Sequence, residues 1–151
     1  MNVQELKLYL SEFYGGRKLQ IVPYGYNVTF LALAPTVTAS QIVSIAANAD
    51  FVLLGLNHRA NVAAAAQTVT SKTAPLCRVL VTDSGSNEQF TAQAVDLENY
   101  STNDAKVNIL PFPRVISGRS TLTVQLANYD AAATYNVDLF FEGVLVRAFN
   151  N

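Results

Sequence analysis

The sequence predicts a mainly β domain, an antiparallel two-sheet β-sandwich with a jelly roll as one arrangement, led by a short N-terminal α-helix. Three observations carry this. The chain has 151 residues, the usual size of one domain with one core. From Leu19 onward, β-branched and aromatic residues alternate with polar ones between turn signals. Eight or nine short runs of this kind follow one another at the spacing of a sandwich or jelly roll.

Each element has its own warrant. Val3, Leu6, Leu10 and Phe13 recur at steps of three and four, Asn2 and Glu5 are spaced as a capping pair, and Gly15-Gly16 form a stop. This divides the chain into a helical arm over 1–16 and a β-sandwich domain over 17–151. A helix so short is marginal alone in water, so its apolar stripe must dock. Its own domain is the first expectation, and a neighbouring subunit is the alternative.

Strands are predicted at Leu19 to Val22, Val28 to Ala34, Gln41 to Ala46, Phe51 to Asn57, Leu76 to Thr82 and Gln89 to Val95. Ser120 to Ala127, Tyr135 to Phe141 and Val144 to Ala148 complete them. The plainest is Ser120 to Ala127, where Leu122, Val124 and Leu126 face one way and polar residues the other. Asn128-Tyr129-Asp130 and Glu142-Gly143 read as short connections. Asn61 to Ala74, with four consecutive alanines, and Glu98 to Ala105, with Asn99, Ser101, Asn103 and Asp104, read as long surface loops.

Composition narrows the function. Half the residues are apolar and only 14% are charged, against roughly 25% in ordinary soluble domains, so part of the surface is expected to meet other protein. Ten basic and eleven acidic residues, without runs, give no footprint for nucleic acid or an anionic membrane. No apolar run approaches a membrane span, the best candidate being Phe51 to Leu54, and the N-terminus does not read as a secretory signal. A single cysteine, Cys77, excludes an internal disulfide and points to a reducing compartment.

The candidate chemistry is thin, and no catalytic, cofactor-binding or metal-ligating residue is expected. His58 is the lone histidine and closes a predicted strand, which suggests a surface imidazole, while Cys77 alternates into the core. Asp96 and Glu98 lie two apart, as paired carboxylates of a glycosidase could, but read as a solvated strand end. Asp50, Asp83, Asp104 and Asp130 sit near turns, where aspartate bonds to nearby amides; calcium is the alternative use. The glycines match no phosphate-binding pattern. Tyr24 and Tyr26 alternate around Gly25 as a partner platform or a packed strand edge. Pro111 and Pro113 flank Phe112 and precede Arg114; neither proline can donate to a ladder, so this stretch should run along a sheet edge or meet a partner.

Pro111-Phe112-Pro113-Arg114, the strand Ser120 to Asn128, Leu139-Phe140-Phe141-Glu142-Gly143 and Ala49-Asp50-Phe51 together resemble small virion structural proteins of tailed bacteriophages. The resemblance covers about Thr38 to Val146. It implies a non-catalytic particle subunit made in the host cytoplasm, such as a capsid decoration or minor capsid protein, or a tail or neck component. Its partners would be its own copies, with a trimer as the working number, and other virion proteins such as the major capsid protein. A receptor- or glycan-binding β-sandwich module is the other reading of the same loops and tyrosines.

Overall fold

Nesting of strand pairs, first with last, organises the chain. The computed structural model describes residues 2–63, 72–101 and 108–149. It contains α1 (Val3–Phe13), β1 (Leu19–Leu33), β2 (Thr38–Ser44), β3 (Asp50–Val62), β4 (Cys77–Asp83), β5 (Glu88–Gln89) and β6 (Val95–Asp96). After these come α2 (Leu97–Tyr100), β7 (Asn108–Ile116), β8 (Thr121–Asn128) and β9 (Tyr135–Ala148). Strand β1 pairs with β9, β2 with β8, β3 with β7, and β4 with β5 and β6, every pair antiparallel. One sheet has the order β1-β9-β3-β7 and the other β2-β8-β4-β5, with β6 also on β4. A long two-stranded ribbon rolled into two facing sheets gives this order, which is that of a jelly roll. The two-sheet antiparallel fold expected from the sequence is therefore observed.

The main core lies between the sheets, from Val28 and Phe30 of β1 through Phe51 and Leu56 of β3 to Leu122, Val124 and Leu126 of β8. A second cluster lies outside the first sheet, where Leu10 of α1 covers Val52, Val144 and Val146. The helix thus docks on its own domain. Its N-terminus carries both bonds of the capping box, Glu5 N–H to Asn2 Oδ1 and Asn2 N–H to Glu5 Oε2, each 2.9 Å. It ends where Gly15 and Gly16 take φ of +65° and +77°.

Several predicted boundaries change. The strands Leu19 to Val22 and Val28 to Ala34 are one strand, β1, which tolerates Pro23 because it is a sheet edge. Glu142-Gly143 is not a turn: β9 runs through it, and Gly143 lies so close to β3 that a Cβ there would stand 2.0 Å from the Val52 carbonyl oxygen. The predicted strand Gln89 to Val95 pairs only at its ends, as β5 and β6, because Thr91 Oγ1 turns to donate to the Gln93 carbonyl at 2.6 Å. Prolines in Asn108 to Ile116 discouraged a strand reading, yet β7 forms there as the edge the sequence suggested. Of the two predicted loops, residues 64–71, with most of the alanine run, and 102–107, with Asn103 and Asp104, lie outside the described residues. Glu98 to Tyr100 belong to the helical turn α2.

Candidate interaction surfaces

On α1 the predicted stripe divides. Leu10 is buried and Leu6 half-buried against the sheet, whereas Val3 is 66% and Phe13 55% exposed. The sheet is met instead by Leu6, Tyr9, Leu10 and Tyr14, so the buried face is rotated from the one that periodicity suggested. Phe13 stacks edge-on to Tyr14 at 5.0 Å. With Tyr9, Pro113 and Arg114 it lines a hollow of about 280 Å³, which places three of the predicted contact residues on one surface.

Strand β7 supplies the most prominent apolar side chain. Leu53 pairs with Arg114 and Gly55 with Ile109, so residues 110–113 face Leu54 alone and form a bulge. Phe112 on this bulge is 78% exposed while Pro113 is buried. Arg114 is engaged internally, with Nη2 3.1 Å from Glu88 Oε2 and its guanidinium 4.3 Å over the Phe90 ring. Tyr24 and Tyr26 meet edge to face at 5.1 Å rather than forming a flat platform. Tyr24 is exposed; Tyr26 turns inward, packs on Phe51 and accepts the Ala46 N–H at 3.0 Å.

His58 lies elsewhere than expected: it is buried, not a surface imidazole. The ladder irregularity between Leu53 and Gly55 shifts the alternation of β3, so that Leu56, His58 and Ala60 face the interior after it. There Nδ1 lies 2.5 Å from Ser101 Oγ and Nε2 2.9 Å from Glu98 Oε1. A neutral ring satisfies both, with the serine hydroxyl donating to Nδ1 and Nε2–H donating to the carboxylate. The contact pins α2 to the sheet, and Ser101 is itself buried. Asp96 and Glu98 therefore diverge: Glu98 meets His58, whereas Asp96 lies 3.6 Å from Arg78 Nε.

Burial depresses the His58 pKa below its ordinary 6.5, with Glu98 opposing. Between the two values the unfolded chain binds a proton that the folded chain does not. Stability is thus fully present above pH 6.5 and is lost as the pH falls below it, by at most about 1.4 kcal/mol per pH unit. His58→Gln is expected to remove this component between pH 6.5 and 5 in urea unfolding. Equal slopes for the two proteins would show that His58 titrates normally.

Cys77 is buried as expected, its thiol pushed up to about 12 by burial and, to a smaller extent, by Asp130. Both ring nitrogens of His58 are engaged, by Ser101 and Glu98. The described turn aspartates bond locally. Asp83 accepts from Gly85 N–H and Ser86 Oγ, and Asp130 from Ala132 N–H, Ala133 N–H and Tyr135 OH. Asp50 is different in linking three segments: it accepts from Tyr14 OH at 2.6 Å and from Gly118 N–H at 2.8 Å. Among the described residues no group of three or more metal-ligating side chains occurs.

Asp50 lies in a cleft of about 450 Å³ at one end of the sandwich, lined also by Arg17, Arg119 and Arg147. No local pattern announces it, since these residues stand far apart and only the meeting of β3, β9 and two turns brings them together.

No family model matches the chain, and no curated protein matches it. Among solved structures it is similar to the infectious bursal disease virus VP2 subviral particle, with 12% identity and a TM-score of 0.28, over 85% of this chain and 39% of that one. This chain spans about two fifths of that protein's length.

Proposed function

We propose that this chain is a non-catalytic structural subunit of a virion, of the kind found in tailed bacteriophages, and that it packs as a capsid decoration or minor capsid protein. It is made in the host cytoplasm and joins the particle through copies of itself, a trimer being the working number, and through other virion proteins such as the major capsid protein. A tail or neck position would use the same surfaces. The observation that carries this reading is the exposed Phe112 ring of β7, beside a hollow of mixed polar and apolar lining. There Phe13, Tyr9 and Pro113 line one hollow, and Phe112, the neighbour of Pro113, projects into solvent. Exposed apolar anchors of this kind are what a permanent protein contact buries. Sparse charge and a jelly-roll order, recurrent in capsid domains, support it.

Sedimentation of the purified protein, together with mass spectrometry of purified particles from its source, tests the reading. A symmetric oligomer, or a monomer present in stoichiometric amounts in particles, is expected. A monomer absent from particles would overturn it and leave a receptor- or glycan-binding module, for which the exposed Tyr24 ring is the starting point.

A further inference from the structure

The cleft at the end of the sandwich gathers three of the chain's ten basic residues around one carboxylate, and that carboxylate is already occupied. Asp50 accepts from Tyr14 OH and Gly118 N–H, and its single negative charge is set against three guanidinium charges. Among the described residues the guanidinium groups of Arg119 and Arg147 are held by neutral acceptors. Arg17 donates to the Ala148 and Phe149 carbonyls at 2.9 and 3.2 Å, and Arg119 Nε to the Ala47 carbonyl at 3.3 Å. Arg147 reaches Gln20 Oε1 and Asn48 Oδ1, each at 3.4 Å. Among the described residues neither Arg119 nor Arg147 makes an ion pair. Arg119 also takes φ of +68°, a backbone position where an arginine is unusual and a glycine ordinary. The guanidinium groups of Arg119 and Arg147, oriented and without a carboxylate partner among the described residues, suit bidentate recognition of a carboxylate.

We propose that this cleft receives an acidic segment of a partner protein, whose aspartate or glutamate carboxylates are clamped by Arg119 and Arg147 beside Arg17. The inference rests on the assembly reading and names the chemistry of one contact. Protein is favoured over nucleic acid because the basic groups are confined to a cleft, whereas a duplex presents charge along a line and calls for an extended basic stripe. The net charge of −1 points the same way.

Fluorescence anisotropy with a fluorescein-tagged octapeptide of alternating aspartate and serine is the test. Its asparagine–serine counterpart and a labelled DNA duplex are the controls. The acidic peptide is expected to bind and the neutral one not, with affinity falling as salt rises from about 50 to about 200 mM. Arg147→Gln and Arg119→Gly are each expected to weaken binding at least about tenfold. Arg119→Gly suits the left-handed backbone, so an unchanged melting temperature separates lost binding from lost folding. Arg78→Gln, on β4 and outside the cleft, should bind as the parent does. Equal binding of both peptides, full binding by both cleft variants, or tighter binding of the duplex would overturn the proposal. A protein that enters particles yet ignores the acidic peptide defeats this inference alone. One that binds the peptide but never enters particles defeats the assembly reading alone.

Discussion

Replacing Gly143 with alanine is expected to destabilise the domain by about 3 kcal/mol, at the upper end for an overpacked interior. Strand β9 lies between β1 and β3, and at Gly143 it approaches β3 so closely that an added Cβ would meet the Val52 carbonyl oxygen at 2.0 Å and the Phe51 ring at 2.9 Å. Backbone cannot swing aside as a side-chain tip can. Two central strands would have to separate, and with them the floor on which Leu10 of α1 rests. Gly25→Ala is the internal control. Its Cβ would meet the Phe140 ring at 2.4 Å, but that ring is the partly exposed end of a movable side chain, so the cost is expected to stay under about 1 kcal/mol. Urea unfolding of both variants checks the pair. A Gly143→Ala midpoint equal to that of the parent would mean that β3 and β9 do not approach as described.

Phe112→Ala is expected to separate assembly from folding. The ring is mostly in solvent, so its loss should change stability by no more than about 0.5 kcal/mol. In an assembled particle the same ring would be an anchor, and its truncation should weaken association by about 2 kcal/mol or more, a loss of at least about thirtyfold. Pro111 and Pro113 limit the backbone freedom of the bulge, so little ordering opposes the contact when a partner closes over it. Phe112→Asp should weaken association further by placing a charge where an apolar surface must close. Sedimentation and incorporation into particles provide the readout. Unchanged association in both variants would move the anchor away from β7, and a drop in melting temperature would show that the ring already packs within its own domain.

What the sequence determined by itself was local. Alternation at Thr121–Asn128 determines which side chains face inward, and those faces hold in the structure: Leu122, Val124 and Leu126 are buried. The Asn2–Glu5 capping box and the Gly15-Gly16 stop place the helix within a residue of where it forms, because their bonds span only three to five positions. The strand predicted at Val144 to Ala148 forms as the end of β9, and the structure covers it on both faces, by the core on one side and by α1 on the other. Tertiary structure decided the rest. Alternation assigns a face but names no partner, so the nesting of β1 with β9 and β2 with β8 could not be read from either strand alone. Irregularities in pairing belong to two strands at once: the shift at Leu54 turns His58 inward on one side and pushes Phe112 outward on the other. The arginine cleft is the extreme case. Arg17, Arg119 and Arg147 share no local pattern, and they meet only because the ends of distant strands do, with the Asp50 carboxylate tying Tyr14 and Gly118 into the same corner.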